Sequence, residues 1–387
     1  MNRHRTVFAQ LLDLAPRWEF NECVKRHTRD FLPRKFSYWD QFLTMAFAQL
    51  TQRESLRDVE VSLAALGSKT YNMGFRTTVK RSTLADANEQ RDWRIWSDFA
   101  LVLIKEARKL YADEPLGYEF DNAVYALDSS TVSLCLSLCP WAKFRKNKGG
   151  IKLHTQLDLR GNIPSFVLIS PAKINDVKFL DDILIETGAL YVMDRGYFDL
   201  ARLFHFATEG AFFVTRLKRR VFYCRRKIFS RSKKDAIRCD ALVDLRSKVA
   251  RKKYPQRVRL IEYYDSDNKR TFLFITNNLS LAAQTIADIY KQRWQIELFF
   301  KWIKQHLRIK AFFGTSENAV KTQIWIAVSV YLIAAIAKKK LSLEPSLYTI
   351  LQALSVSVAE KTPILSTLNS CQEENNGVGI PNQLDLF

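Results

Sequence analysis

Two short runs of uninterrupted apolar residues each stop at an aspartate, and this arrangement constrains the 387-residue chain more than any other feature. Val124-Tyr125-Ala126-Leu127 ends at Asp128, and Ala189-Leu190-Tyr191-Val192-Met193 ends at Asp194. Runs this short and this apolar read as buried strands rather than helices. Between them, Ile151, Leu153, Thr155, Leu157 and Leu159 alternate with polar residues at the period of a half-buried strand, Gly161-Asn162 makes a turn, and Ser165 to Ile169 returns. That is a meander of three antiparallel strands. Asn175 then opens a helix, a second helix runs from about Asp199 to Glu209, and Ala211 to Thr215 is a further strand. A meander followed by alternating helix and strand predicts a mixed α/β sheet with helices on its faces. Ligand sites in open α/β sheets gather at strand C-termini. A carboxylate after an apolar strand is costly to bury without a partner. A single strand-end Asp commonly caps the next turn, whereas two in this arrangement, with no His or Cys nearby, favour a hard cation such as Mg²⁺ or Mn²⁺.

The flanking regions have a different texture. Residues 1–118 read as an all-helical domain, with apolar residues at helical spacing through Phe42, Met45, Ala46 and Leu50, again from Val59 to Leu66, and a third helix from about Trp93 to Tyr111. Thr51 and Ser55 fall where a turn and a helix N-cap belong. Two short helices around a tight turn suit a helix-turn-helix DNA reader, and equally a packing domain whose Lys and Arg only solvate it. Residues 119–345 form the α/β domain, interrupted at about 216–280 by a basic β-rich insertion. Residues 346–387 are a C-terminal helix and a polar tail. Between 211 and 260 there are eighteen Lys and Arg against three acidic residues, the bulk of a net charge of +20. Charge of this size calls for a polyanion, nucleic acid before an anionic membrane surface.

Membrane residence and disulfide or zinc frameworks are disfavoured. The apolar run Ile324–Ala337, fourteen residues between lysines, is short for a bilayer span and reads as a buried core helix. Met1-Asn2-Arg3-His4-Arg5 is not followed by a signal-peptide core. Six cysteines make no CxxC pair and only five histidines accompany them. A cytoplasmic protein with reduced thiols is expected.

A third carboxylate lies on the long helix predicted from Ala282 to about Lys310. At 100° per residue Tyr290, Arg293, Glu297 and Lys304 share an arc of roughly 60°, with Lys301 and Arg308 near the same stripe. Glu297 with Lys301 is by itself an ordinary solvated pair. Tyr290 on the same stripe is better explained by an acid that completes a metal site beside cations that hold phosphates.

Tyr-x2-Arg-x3-Glu-x6-Lys at Tyr290, Arg293, Glu297 and Lys304 resembles the YREK signature of bacterial insertion-sequence DDE transposases of the "IS-four" type. Asp194-Arg195-Gly196-Tyr197 resembles the second acidic motif of that family, and Leu127-Asp128-Ser129-Ser130-Thr131 its first. Gly149-Gly150-Ile151-Lys152-Leu153-His154, Ile169-Ser170-Pro171 and Asn175-Asp176 also fit, so the likeness covers about residues 122–340. The resemblance implies an RNase H-like fold in which Asp128, Asp194 and Glu297 hold two Mg²⁺ ions, with Mn²⁺ as a substitute. Two such metals activate the attacking oxygen and stabilise the leaving one. It implies cleavage of double-stranded DNA at an element's ends, and then attack of the freed 3′-hydroxyl on target DNA. It further implies phosphate contacts by Tyr290, Arg293, Lys304, Lys301 and Arg308, supporting roles for Arg195, Gly196 and His154, a homodimer on DNA and association with the bacterial nucleoid. Some relatives stack a flipped base on a tryptophan of the insertion. Here no Trp lies between Trp141 and Trp294, and Phe272 is the nearest aromatic, more readily a core residue. His154 reads as a satisfied strand histidine, and Trp294 and Trp302 as packing residues. A nuclease of the same fold without strand transfer, and a catalytically decayed DNA-binding protein, are the alternatives.

Overall fold

The computed structural model describes residues 5–28, 35–146, 148–232, 234–305 and 312–369, in two compact units. One contains residues 1–103, 306–314 and 322–387, the other 104–305 and 315–321. The first opens with α1 (Val7–Leu12), α2 (Arg17–His27), α3 (Tyr38–Leu50), α4 (Leu56–Leu66), α5 (Lys69–Asn72) and α6 (Arg81–Gln90), and α7 (Arg94–Leu110) begins in it. α3 starts in a capping box, Ser37 with Asp40, and is buried from Asp40 to Leu50. Thr51 ends it, and Ser55 caps α4 through the Asp58 amide at 3.1 Å, as the sequence predicts. Phe20, Trp39, Phe42, Trp96 and Phe99 form the aromatic centre of this unit, with ring centroids 5.0–6.4 Å apart.

The second unit is one sheet of ten strands: β1 (Val124–Leu134), β2 (Lys143–Arg145), β3 (Lys148–Asp158), β4 (Ile163–Pro171), β5 (Leu190–Met193), β6 (Phe212–Arg216), β7 (Tyr223–Arg231), β8 (Ile237–Leu245), β9 (Val258–Asp265) and β10 (Arg270–Thr276). The order is β2-β3-β1-β5-β6-β10-β9-β8-β7, with β4 also beside β3. β1, β5 and β6 are mutually parallel neighbours and the other pairs are antiparallel. The basic insertion is therefore not a separate module. Its strands prolong the same sheet through β10, which pairs with β6. The sheet, its helices and the helical N-terminal region are those of an RNase H-like fold.

Helices α8 (Leu200–Thr208), α9 (Lys248–Lys253), α10 (Ala283–Gln292) and α11 (Trp294–Gln305) complete this unit. Tyr125, Leu127, Tyr191, Met193 and Phe213 pack with Leu203 and Phe206 of α8 on one face of the sheet. Val124, Leu190, Val192 and Val214 pack with Ile286, Ala287 and Ile289 of α10 on the other. Asn175 caps a 3₁₀ turn, Asp176–Asp181, rather than an α-helix.

Three sequence expectations are corrected. β1 does not end at Asp128 but continues to Leu134, because its antiparallel pairing with β3 runs on to Leu134↔Gly149 after the parallel pairing with β5 stops at Leu127↔Met193. The long helix from Ala282 is two helices, interrupted at Arg293. The third concerns α12 (Glu317–Lys340), which with α13 (Leu347–Ser357) and α14 (Ile364–Asn369) follows in the chain. It has 24 residues and is long and apolar enough to cross a membrane, but 94% of its apolar window is buried inside the protein. Burial, not length, marks it as a core helix. The C-terminal helices fold with the N-terminal ones in the first unit: the amides of Val7 and Phe8 donate to the carbonyls of Glu360 and Val358 at 2.8 and 3.1 Å. The tail after Cys371 lies outside the described residues.

Candidate active site

Alternation along a strand sends successive side chains to opposite faces. With Val124 on the α10 face, Asp128 points to that face too, and Asp194 follows Leu190 and Val192 to it. Their strands are in register up to Leu127↔Met193, so the next residue of each, Asp128 and Asp194, sits where the parallel pairing opens. α11 brings the third acid. Arg293, at the break between α10 and α11, donates from Nη1 to Asp128 Oδ2 at 3.2 Å and from Nη2 to Glu297 Oε1 at 2.7 Å. Arg216, at the end of β6, hydrogen-bonds Asp194. Asp128 and Glu297 thus share Arg293, while Asp194, at the end of the neighbouring strand, is paired with Arg216.

The two aspartates differ electrostatically. Burial pushes the Asp128 carboxyl up to about 6, and the negative charges of Glu297 and Asp194 add to this against the opposing Arg293 and the Ser129 amide, 2.8 Å from Oδ1. Burial acts on Asp194 in the same direction, but the Arg216 guanidinium outweighs it and holds that carboxyl below its usual range. Arg216 was not anticipated. Its partner is 22 positions away on another strand, and no local pattern signals such a pair.

The remaining candidates fall as follows. Lys304 Nζ donates to the Thr131 carbonyl at 2.8 Å, which draws α11 to β1 beyond Asp128. Lys301 is exposed one turn past Glu297, and Arg308 lies outside the described residues. The Tyr290 hydroxyl is buried, and its ring packs on Phe274 with centroids 4.5 Å apart. Arg195 and Gly196 are exposed just after Asp194, and a Cβ at Gly196 would meet nothing within 4 Å. Phe272 is half-buried, stacked 6.1 Å from Phe274 with Arg216 5.9 Å from its ring centroid, so it packs beside the Asp194 pair. Trp302 is buried as expected, but Trp294 is 42% exposed and is not a packing residue. It is the first residue after the break at Arg293, which turns it away from the core.

Behind Asp128, on the opposite face, a second polar cluster closes. Ser129 Oγ donates to Asp176 Oδ1 at 2.6 Å, and Lys152 Nζ bridges Asp176 and the Ile174 carbonyl, both at 2.8 Å. His154 is buried, its Nε2 2.8 Å from Ser170 Oγ and its ring stacked on Phe179, and burial pushes its pKa down to about 4. His154 is a buried strand histidine as expected, but only half satisfied: its buried Nδ1 has no hydrogen-bond partner among the described residues. Lys152, Asp176 and Ser170 stand in the motifs quoted above, and the structure supplies the contacts that tie those motifs together.

Three carboxylates of these strands and helix form the donor set that hard divalent cations take. Among the described residues no three Asp, Glu, His or Cys side chains stand close enough together to hold one ion as they are. Arg293 and Arg216 supply the positive charge among them instead. The raised Asp128 carboxyl reflects chiefly its burial, a cost that a cation bound beside it would offset, and in that respect the residues fit a metal.

Residues 119–333 match the family model of the transposase DDE domain. The chain belongs to that family. It is a DNA transposase of the insertion-sequence kind, an enzyme that acts on DNA, and its DDE domain implies dependence on a divalent metal. Residues 3–76 of the transposase match a domain of unknown function, DUF4372. It is 34% identical over 261 residues to a putative transposase, y4zB, of Sinorhizobium fredii, covering 66% of this chain and 71% of that protein. It is 32% identical over 216 residues to a probable transposase for insertion sequence element IS5377 of Geobacillus stearothermophilus, 55% of this chain and just 56% of that one. A putative transposase for insertion sequence element IS4SA of Synechocystis is 26% identical over 324 residues, 81% of this chain and 87% of its own length.

Proposed function

We propose that Asp128, Asp194 and Glu297 are the catalytic acids, that they hold two Mg²⁺ ions, and that the transposase cleaves element ends and then joins the freed 3′-hydroxyl to target DNA. The observation that carries this is the buried Asp128 carboxyl, raised to about 6 while sharing Arg293 with Glu297. A carboxylate so placed gains from a nearby cation. When bound, the metals supply the activation of the attacking oxygen and the stabilisation of the leaving one. The chain's own groups do the rest. Asp128 and Asp194 are fixed on adjacent parallel strands, and Glu297 comes from a helix that Lys304 fastens to β1. Arg293 and Arg216, which now pair with the carboxylates, carry guanidinium donors that would suit phosphate oxygens were the carboxylates engaged by cations, Arg being the fork that binds such oxygens in pairs. Lys301 offers a point charge beside them. Tyr290 supports Arg293 from the Phe274 side, with the Arg293 guanidinium 5.9 Å from its ring centroid. Within this reading the YREK residues are Tyr290, Arg293, Glu297 and Lys304, the helical N-terminal domain reads the element ends, and two copies act together on a pair of ends.

A labelled element end, a target plasmid and Mg²⁺ test this. Wild-type protein is expected to give nicked ends and joined products, and Asp128→Asn to bind the end with unchanged affinity and cut nothing. Nicks without joining favour the nuclease reading. Cleavage by Asp128→Asn at the wild-type rate sinks the assignment.

A further inference from the structure

The positive charge of residues 211–260 cannot be neutralised from within. Two of its three acids are already engaged, Asp240 by Arg259 in a buried pair at 2.7 Å and Asp244 by both Arg226 and Arg257, which leaves Asp235. Arg219, Arg220, Lys227 and Arg231 are exposed and have no acidic partner among the described residues. They cluster on β7 and on the connection that leads into it. β7 is the last strand of the sheet, paired only with β8, and it is exposed from Arg225 to Arg231. Two aromatic side chains, Phe222 (68% exposed) and Phe229 (46%), stand among the cations, and Lys227 Nζ is 5.5 Å from the Phe229 ring centroid.

An open edge strand invites either another strand or a ligand of opposite charge. A second copy of β7 would set its arginines and lysines against these, and like charges facing across a strand pair repel. Two register shifts in β7 further spoil the ladder it offers. A polyanion meets neither obstacle. β7 lies five strand spacings from β5, after which Asp194 stands, or about 24 Å at ~4.8 Å per strand. Duplex DNA advances 3.4 Å per base pair, so that span is about seven base pairs.

We propose that the exposed edge formed by Arg219, Arg220, Lys227 and Arg231 is a second duplex-DNA-backbone surface, outside the catalytic site, that grips DNA from the connection after Arg216 out to β7, up to about seven base pairs from the scissile bond. It rests on the transposase reading for the position of that bond, and on charge and exposure alone for the grip. Phosphate contacts of this kind carry no sequence information and release counterions, so they appear as salt dependence.

The test is binding of a 40-base-pair duplex, with and without an element end, in EDTA at several salt concentrations. The Arg219→Gln/Arg220→Gln/Lys227→Gln/Arg231→Gln variant is compared with wild type and with Lys252→Gln/Lys253→Gln on α9. These α9 lysines are equally exposed, but α9 packs on the α8 face of the sheet. Each lost contact should lower the slope of log K against log salt by about 0.9, so the fourfold variant should lose three to four units, on either duplex. Hydroxyl-radical protection should also retreat by up to about seven base pairs on the element end, and the α9 variant should keep the wild-type slope. An unchanged slope in the fourfold variant overturns the proposal. So does an equal loss per charge in the α9 variant, which would show net charge alone at work. So does equal salt-sensitive binding to anionic phospholipid vesicles. Melting curves exclude misfolding of either variant. No cleavage is involved, so β7-dependent binding by a protein that never cuts element ends would sink the catalytic reading and leave this one standing. Cutting with no β7 dependence would do the reverse.

Discussion

β1 carries two polar clusters back to back, and they are finished to different degrees. On the α8 face Ser129, Lys152 and Asp176 satisfy one another, and Lys152 holds the Asp176 carboxyl below its usual range although burial opposes it. On the α11 face three carboxylates face two arginines, and Asp128 stays raised to about 6. One cluster is a fastening that is complete as folded. In the other, burial keeps the Asp128 carboxyl raised, and a proton or an added cation relieves it. The two clusters thus differ in how far their acids are matched by neighbouring cations and hydrogen-bond donors.

The sharpest way to break this contrast is to neutralise one acid on each face. Asp194→Asn or Glu297→Gln should lower nicking of an element end by about a thousandfold or more, equivalent to ~4 kcal/mol of barrier, with a melting temperature within a few degrees of wild type. Asp176→Asn should do the opposite. It leaves Lys152 without its ion partner, so about 1–3 kcal/mol of stability is lost, several degrees of melting temperature, while cleavage below the new melting point falls far less. If folded Asp176→Asn is as inactive as Asp194→Asn, the two faces do not divide the work in this way.

Acid titration of the metal-free protein separates the faces by sign. Asp128 has a folded pKa of about 6 against 3.8, so its contribution grows as pH falls from about 6 to 4 and the folded state takes up the proton more readily. His154 is depressed to about 4 against 6.5, so its contribution is complete above 6.5 and is lost as pH falls toward 4. Each spans up to about 3 kcal/mol at ~1.4 kcal/mol per unit, and over this window they oppose. Urea unfolding in EDTA from pH 7 to 4 should show Asp128→Asn losing more stability than wild type and His154→Gln losing less. Parallel curves for all three would show that neither environment is as described.

What the sequence made legible follows from where the deciding interactions lie. Asp128 and Asp194 could be found because an apolar run ending in a carboxylate is a local signal, and Glu297 because the stripe from Tyr290 to Lys304 lies within fifteen consecutive residues. The reach of β1 to Leu134 was not legible. Residues 128–134 are mostly polar, and only pairing with β3 keeps them extended. β7 was equally hidden, since an edge strand exposed on both sides has no alternation to display. The break at Arg293 follows from a task rather than a propensity: no glycine or proline marks it, and the residue there reaches both Asp128 and Glu297. Arg216 and Lys152 each find their acid across the fold, where spacing along the chain has no bearing.

The smallest effect probes Arg216. In the absence of a divalent cation its guanidinium is the counter-ion of Asp194, so any cation that binds Asp194 must compete with it. Linkage then fixes the direction: removing the competitor strengthens metal binding even though it weakens the metal-free protein. Arg216→Gln should melt a few degrees below wild type in EDTA, where Asp194 has lost its partner. In Mg²⁺ it should recover more of that deficit than wild type gains from the same addition, by about 1 kcal/mol, roughly a fivefold tighter apparent affinity. Calorimetric titration with Mn²⁺ in the absence of DNA reads the same quantity directly. Weaker Mn²⁺ binding in the variant would mean that Arg216 helps to hold the acids in place for the metal rather than standing in for it, and the α11 face would then be closer to the finished cluster behind it.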